Sequence, residues 1–431
     1  MVDTILRNAQ VYGDKNLSDI AIEGGMIVGR GVDLDYISGQ EIDLNGRLAL
    51  PGFVDPHVHL DIAMMNPWRV PGRAESYLSH YGLVETLERR RKLFTNEDIQ
   101  QRASAALELA SRHGVTAMRA QCHVDLTVGL KHLEALLAVK EKYVDRMTLQ
   151  IVAFPEEGLV NDKRNQPLFL EAFKMGADVM GCASNLDRYE SGEEVGCRKH
   201  IDAALDLAMA LDVDLDIHAD LGIPQQVALD DLEAVYVARQ AIERGYQGRV
   251  TAGHVCALGS ASPEVAEQAI EIMKEAQVSV VSQPDLYRLG REDKQNVRRG
   301  MTRVKELLNA GVNVTYASNN VRDALRPLGN FNPLEEALIL SYAVHMDTIE
   351  ELNTLLKMST FNGAKALGLE KYGLDAGCRA DLVVLDVFSP SAAIVEQAEK
   401  NYVFKSGKLM AASRVISEIY NGLNFESHLI S

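Results

Sequence analysis

The sequence has 431 residues, of which 47% are hydrophobic and 24% charged, and its formal net charge is -17 at pH 7. This composition is typical of a soluble globular protein, and the length calls for a large barrel or two domains rather than one small core. The acidic charge argues against nucleic acid or an anionic membrane as a partner, and no apolar run reaches the roughly 18 residues that span a bilayer.

The cysteines and the N-terminus bear on the compartment. The five cysteines are odd in number, and no two of them have Cys-x-x-Cys spacing. The first residues lack the basic and then apolar pattern of a secretory signal. Together these features favour reduced thiols and a cytoplasmic location over a disulfide-bonded or zinc-knuckle protein.

Both ends of the chain are rich in short strand patterns. Residues 3–9, 20–25 and 26–30 are predicted strands, with Gly24-Gly25 as the turn between the last two. Residues 380–385 predict another strand, and residues 402–410 a hairpin that turns at Ser406-Gly407. Because the N-terminal segment is too short to fold alone, we expect residues 1–50 and 375–431 to form one β-rich domain.

Between the two ends, strand-like runs alternate with helical patterns. The runs are residues 50–54, 115–121, 148–154, 177–181, 213–218, 249–254, 278–283 and 312–317. Residues 96–112 and 130–142 are examples of the amphipathic stretches that separate them. The alternation predicts right-handed βαβ units and a parallel sheet, and eight such units predict an α/β fold with a (β/α)8 TIM barrel over residues 51–374.

The first of these strands is followed by two histidines, His57 and His59. Successive side chains of an extended chain point to opposite faces, so the two imidazoles share one face. Two imidazoles that converge from one strand end are suitable ligands for zinc or iron. The alternative is a pair of ordinary polar loop residues, and the preceding strand and Pro-Gly argue against it.

Polar residues also cluster at the ends of the other predicted strands, where a barrel carries its active site. These residues are Gln121, His123, Glu156, Glu157, His218, Asp220, His254, Gln283, Asn319 and Asn320. In the fifth strand, His218 has the parity of Asp214 and Asp216, opposite to that of the aliphatic residues. We therefore expect His218 to face the barrel mouth.

Residues 51–61, Pro-Gly-Phe-Val-Asp-Pro-His-Val-His-Leu-Asp, resemble the first metal-binding motif of the amidohydrolase superfamily. Residues 149–158, 303–308 and 317–323 narrow the resemblance to the cytosine deaminase branch. The last of these segments and residues 380–385 are most similar to members that release amines from triazines. The resemblance covers nearly the whole chain. It implies a metal-dependent hydrolase of C–N bonds in a small heterocycle or a cyclic amide or amidine, acting as a deaminase or an amine-releasing amidohydrolase.

The resemblance also implies roles for individual residues. In this family three histidines and one aspartate hold a single divalent metal ion, and a fourth histidine contacts the attacking water or the substrate. By position, the metal ligands are His57, His59, His218 and Asn319, the catalytic histidine is His254, and the substrate contacts are Glu156 and Asn320. The expected cofactor is one divalent ion, zinc or iron.

Several positions depart from the family pattern. Asn319 replaces the aspartate, and an amide oxygen can ligate a metal but cannot accept a proton at neutral pH. Leu221 replaces the acid/base glutamate, so Asp220 is the predicted substitute proton carrier, with a structural hydrogen bond as the alternative. Glu156 replaces the glutamine that binds the pyrimidine ring, and Ile62 stands where the triazine enzymes have lysine. As a carboxylate, Glu156 would favour substrates that present N–H groups, unless it is a solvated loop charge.

The missing proton carriers leave two other functions open. One is a catalytically degenerate family member with a ligand-binding or scaffolding role, although a retired site has no physical need of four histidines. The other is a lyase or decarboxylase, which needs no proton-accepting aspartate. We expect a small-molecule heterocyclic substrate, no nucleic-acid or membrane partner, and a homo-oligomer.

Overall fold

The structure, a computed structural model, describes residues 1–65, 87, 90–187, 193–222, 224, 226–284 and 300–416, with the backbone alone for residues 193–197. Its strands are β1 (Val2–Val11), β2 (Ser18–Glu23), β3 (Met26–Gly31), β4 (Ser38–Asp43), β5 (Leu48–Pro51), β6 (Phe53–Val58), β7 (Val115–His123), β8 (Thr148–Phe154), β9 (Val179–Cys182), β10 (Asp214–Ala219), β11 (Val250–His254), β12 (Ser279–Ser282), β13 (Asn313–Tyr316), β14 (Leu382–Leu385), β15 (Lys400–Lys405) and β16 (Lys408–Ala412). Its helices are α1 (Asn96–Arg112), α2 (Lys131–Lys142), α3 (Asn165–Met175), α4 (Glu193–Leu211), α5 (Glu233–Glu243), α6 (Pro263–Glu275), α7 (Val304–Ala310), α8 (Pro333–Val344), α9 (Ile349–Lys357), α10 (Gly363–Ala366) and α11 (Pro390–Val395).

Strands β6 to β13 form a barrel of eight parallel strands. They pair in chain order, each strand with the next. The ring closes where Val58, the last residue of β6, forms a parallel bridge with Asn319, three residues past β13. There the backbone N–H of Asn319 donates to His57 O, and Asn319 O accepts from the N–H of His59, both at 2.9 Å. The predicted (β/α)8 barrel is confirmed.

The helices around the barrel follow from local sequence. Helix α1 begins after Thr95, whose hydroxyl oxygen accepts the backbone N–H of Asp98 at 3.2 Å, and acidic residues occupy its first turn. Its buried side chains recur at helical spacing, namely Ile99, Ala103, Ala106, Leu107 and Ala110. These side chains pack against aliphatic residues on the outer face of the strands. Together the two sets form the main hydrophobic core.

The two chain ends meet in a second sheet, as predicted. Its strand order is β16-β15-β14-β5-β1-β2-β3, with β4 also paired to β1. A separate small core fills its inner face, with Leu6, Ile20, Ile22, Leu382 and Phe404 among its members. The predicted turns at Gly24-Gly25 and Ser406-Gly407 both lie in hairpins of this sheet.

One predicted strand is wrong in its extent. The run of residues 50–54 is divided between two sheets, because β5 pairs with β14 in the terminal sheet and β6 begins the barrel. Gly52 joins them, and a Cβ atom there would lie 2.3 Å from Thr116 Cγ2, so only glycine fits. The prediction also missed β4, whose polar sequence lacks a strand pattern.

No helix in the described part of the chain is both long enough and apolar enough to cross a membrane. Cys122, Cys182, Cys256 and Cys378 are free thiols.

His113, at the end of α1, predicts a pH dependence of stability. Its burial, reinforced by the positive charges of Lys400, Arg112 and Arg322, lowers its pKa from 6.5 to about 4. As the pH falls, the unfolded chain therefore takes up this proton first, so the stabilisation is complete above pH 6.5 and is lost toward pH 4. In the wild type, His113 should therefore lower the free energy of unfolding by at most about 3 kcal/mol over this pH range. We expect this contribution to be absent in His113→Gln, and urea denaturation at several pH values measures the difference. An unchanged pH profile would contradict this assignment.

Candidate metal centre

Three histidine side chains converge at the C-terminal mouth of the barrel. The Nε2 atom of His218 lies 3.1 Å from His57 Nε2 and 3.2 Å from His59 Nε2, and all three rings are buried. An imidazole nitrogen has either one hydrogen or one lone pair, so a hydrogen bond satisfies only one of the two contacts of His218. A metal ion at about 2.0–2.1 Å from each nitrogen satisfies both. The three residues therefore fit a metal ion.

The electrostatics of His59 also suit a ligand. Burial is the main cause that lowers its pKa well below the usual range, and the charges of His57 and His123 add to that effect. The negative charge of Asp61 opposes them only in part. His59 is therefore neutral at physiological pH, and a neutral imidazole has the lone pair that a metal requires.

Buried side chains beneath the histidines orient His57. Its Nδ1 atom lies 3.5 Å from Asp216 Oδ1 and 3.2 Å from Gln121 Nε2, and Gln121 Nε2 donates to the same aspartate oxygen at 3.0 Å. Burial alone would raise the pKa of Asp216, but His57 and Arg119 hold it below the usual range. A carboxylate behind a metal-binding imidazole typically fixes the ring orientation, and Asp216 is in position for that role.

The structure brings His254 and Asn319 to the same mouth. The ring centroid of His254 lies 5.1 Å from that of His218 and 5.7 Å from that of His57. Asn319 is buried, and its backbone bonds to His57 and His59 put it directly beside the histidine pair. Five of the predicted site residues, His57, His59, His218, His254 and Asn319, thus lie together.

A second buried group, Asp61, His123 and His132, lies next to the first. Asp61 Oδ2 is 2.6 Å from His123 Nδ1 and 2.7 Å from His132 Nδ1. These separations are typical of charge-assisted hydrogen bonds, so we assign the group to hydrogen bonding although its atoms could also surround an ion. Burial lowers the pKa of His123, but the charge of Asp61 and the hydrogen bonds of Asp61 and Glu156 outweigh burial and raise it to about 10.

The predicted substrate contacts have partners of their own. Glu156 Oε2 lies 3.4 Å from His123 Nε2, with 15% of the glutamate side chain exposed. Its neighbour Glu157 instead accepts from Arg91 and Thr127. Asn320 Nδ2 donates to Asp323 Oδ2 at 2.5 Å, so this amide nitrogen is used within its own loop.

Asp220, the predicted proton carrier, is held by hydrogen bonds at the start of helix α5. Its Oδ1 atom accepts the backbone N–H of Glu233 at 2.7 Å, and its Oδ2 atom accepts that of Ala234 at 3.2 Å. Both oxygens therefore bind the start of helix α5, which is the structural alternative. Asp220 has φ of +54°, which ends the alternation of the extended chain one residue after β10.

Three residues that surround the site had no predicted role. His132 lies in α2 rather than at a strand end, and nothing in its local pattern indicates that it faces Asp61. Arg119 is inside β7, where an arginine within an apolar run is a signal of a buried partner. Asp61 shares the parity of His57 and His59, and that parity could have identified it.

Comparison with known proteins agrees with this geometry. The model of the Amidohydrolase family matches residues 68–411. The chain is 31% identical to N-isopropylammelide isopropyl amidohydrolase of Pseudomonas sp. (strain ADP), over 96% of this chain and 98% of that protein. It is 28% identical to pterin deaminase of Rhizobium rhizogenes, over 86% of this chain and 82% of that protein.

Solved structures give the same result. The structure of 5-methylcytosine deaminase from Klebsiella pneumoniae, liganded with phosphonocytosine, is 31% identical and superposes with a TM-score of 0.88 over 96% of this chain and all of that one (100%). N-isopropylammelide isopropylaminohydrolase from Burkholderia multivorans is 26% identical, with a TM-score of 0.83 over 96% of this chain and 99% of that one. Both similarities extend over nearly the whole length of each chain.

Proposed function

The chain belongs to the amidohydrolase family, and from this premise we propose that it hydrolyses a C–N bond of a small heterocycle or cyclic amidine and releases ammonia or an amine. The predicted family and enzyme class, a metal-dependent amidohydrolase, are confirmed. One observation carries the proposal for this chain's own site: the convergence of the His57, His59 and His218 Nε2 atoms at 3.1–3.2 Å. A family member that had lost catalysis would not need this arrangement of imidazoles.

We propose that these three histidines hold one divalent ion, zinc or iron, with the amide oxygen of Asn319 as a fourth ligand. Imidazole nitrogens suit both metals. When bound, such an ion makes hydroxide available near neutral pH and polarises the group under attack. Because all four ligands are neutral, the ion keeps its full positive charge, which strengthens both effects.

The proton transfer is assigned to His254. Hydrolysis adds the oxygen of water to the carbon, breaks the C–N bond and delivers a proton to the departing nitrogen. Asn319 cannot accept a proton, and Asp220 is bonded to the start of α5. His254 is the remaining ionisable side chain of the predicted set beside His218, and imidazole exchanges protons near neutral pH.

The substrate would be recognised by Glu156, with the carbonyl oxygen of Asn320 as a second contact. A carboxylate accepts hydrogen bonds and donates none, so Glu156 favours a ring edge that presents N–H groups. The relatives are named for N-isopropylammelide, pterin and 5-methylcytosine, all of which are small nitrogen heterocycles. These three compounds, with cytosine, make a suitable first panel.

The test is release of ammonia or amine from this panel. The purified protein would be loaded with zinc or with ferrous iron, assayed, stripped with a chelator and assayed again. We expect at least one compound to be turned over, with activity lost on chelation and restored by the metal. Binding of a panel compound without turnover by protein that holds one equivalent of metal would favour the ligand-binding alternative.

The charge of Glu156 predicts a specificity change. Glu156→Gln keeps the size and shape of the side chain and replaces a charged acceptor by a neutral donor and acceptor. We expect kcat/KM for N–H-presenting substrates to fall by on the order of 10–100-fold, corresponding to about 1–3 kcal/mol of transition-state binding, while relative preference moves toward rings that present a carbonyl, such as cytosine. Glu157→Gln is the matched control, since Glu157 is bound to Arg91. Identical substrate profiles for wild type and Glu156→Gln would exclude Glu156 as a substrate contact.

A further inference from the structure

We infer that His123 is a positioning residue that fixes the Glu156 carboxylate in its orientation toward the substrate. The inference deepens the proposed function and rests on it. It concerns a residue outside the proposed metal ligands, and its proposed action is through Glu156. Its basis is the contact between three side chains, those of Asp61, His123 and Glu156. These side chains connect the segment after β6, which carries the proposed metal ligand His59, to the proposed substrate contact Glu156.

The first of these contacts holds the imidazole of His123. Asp61 Oδ2 accepts from His123 Nδ1 at 2.6 Å and also from the backbone N–H of His123 at 3.0 Å. Both residues are fully buried, so the ring has little freedom to turn. Because Asp61 comes two residues after His59, the segment that carries a metal ligand also sets the orientation of His123.

The second contact joins this fixed ring to Glu156. With Nδ1 directed at Asp61, the opposite nitrogen, Nε2, faces Glu156 Oε2 at 3.4 Å. Glu156 lies in the turn after β8, and a glutamate there loses rotamer freedom when it binds a substrate. A contact that restrains the carboxylate beforehand removes part of that cost, which is the usual benefit of preorganisation.

The neighbouring glutamate shows that this contact is selective. Glu157 turns to Arg91, at 3.3 Å, and to Thr127, whereas Glu156 turns to His123. The two adjacent carboxylates thus contact two different side chains. Glu156 is thus connected to the candidate metal centre through His123, whose ring centroid lies 6.2 Å from that of His59.

His132 offers a matched control within the same group. Its Nδ1 atom lies 2.7 Å from the same oxygen of Asp61, and its Nε2 atom lies 3.3 Å from the carbonyl oxygen of Arg91. It is as deeply buried as His123 but is bonded to Arg91 where His123 faces Glu156. Loss of His132 should therefore weaken the buried group to a similar extent without releasing Glu156.

The experiment compares His123→Gln with His132→Gln. Both variants would be assayed for bound metal, thermal stability, kcat and KM on the panel compound that wild type turns over best. We expect both to retain metal and to melt at lower temperature, but only His123→Gln to raise KM, by roughly tenfold. In a Glu156→Gln background, the effect of His123→Gln on KM should disappear. Equal KM values for His123→Gln and wild type, or equal increases in both histidine variants, would overturn the inference.

Crystal structures test the inference without an activity assay, and the wild-type crystal tests it without any variant. In the wild-type protein we expect one ordered conformer of Glu156 against His123 Nε2, and in His123→Gln a displaced or multiple conformer, with His132→Gln like wild type. A wild-type Glu156 turned away from His123 overturns the inference. Failure of turnover on the whole panel would instead count against the proposed function, so the two failures are distinguishable.

Discussion

Replacement of His218 with asparagine is expected to abolish both metal binding and activity. His218 is the histidine whose Nε2 atom faces the other two, at 3.1 and 3.2 Å, so its loss leaves two ligands that no longer surround a common point. The set contains no anionic ligand that could compensate. We expect metal content below about a tenth of an equivalent and a loss of kcat/KM on the order of 10³-fold or more, the scale of removing a metal-activated nucleophile.

The measurement is elemental analysis of the purified protein beside the hydrolysis assay. His345→Asn is the control, because His345 is exposed, lies at the end of helix α8 and has φ of +56°, a conformation that asparagine adopts readily. We expect that variant to match wild type in both measurements. Full metal content in His218→Asn would show that the ion, if any, is held elsewhere.

Asn319→Asp is expected to tighten metal binding by roughly tenfold or more, because it adds an anionic ligand to a neutral set. The backbone accommodates the substitution, since Asn319 has φ of +55° and aspartate tolerates that region as asparagine does. Its backbone bonds to His57 and His59 are unaffected by the change. The gain should be present well above the carboxyl pKa of about 4 and should vanish as the pH falls through it, because the protonated acid is neutral again.

Competition with a chelator at several pH values measures this effect, and the pH profile of activity should change with it. Asn320→Asp is the matched control, since it adds the same charge one residue away but directs it at Asp323, to which Asn320 now donates. We expect that variant to lose stability without any gain in metal affinity. If Asn319→Asp binds metal no more tightly than wild type, Asn319 lies outside the ligand set.

Sequence patterns predicted the residues that sit on regular elements. Seven of the eight barrel strands, and helices α1 and α2, were predicted within a few residues, because period-two and 3.6-residue patterns record which face is buried. His57, His59 and His218 were found for the same reason, as each has the parity of the barrel interior. Asp220 was assigned instead from its place beside Leu221, and its carboxylate accepts from the start of helix α5.

Residues that meet only through tertiary packing were beyond prediction. His132 is on a helix that crosses to Asp61 from another unit of the barrel, so no local spacing connects the two. The break between β5 and β6 at Gly52 is a similar case. The apolar run is continuous in the sequence, and only the close packing of Thr116 against Gly52 in the fold requires a glycine there. Glu156 contacts His123, and Glu157 contacts Arg91. Neither contact follows from local sequence, because each depends on how β7 and the segment around Arg91 pack in the fold.

The closure of the barrel at Asn319 has an evolutionary consequence. The ring is joined by the main-chain N–H and C=O of this residue, so the bond that completes the fold makes no demand on the side chain. These main-chain bonds are available to an aspartate and to an asparagine alike, so an exchange between the two can alter the reaction while the barrel stays closed. A lineage could in this way explore new metal chemistry through single substitutions at one site, while the scaffold that presents the histidines stays the same.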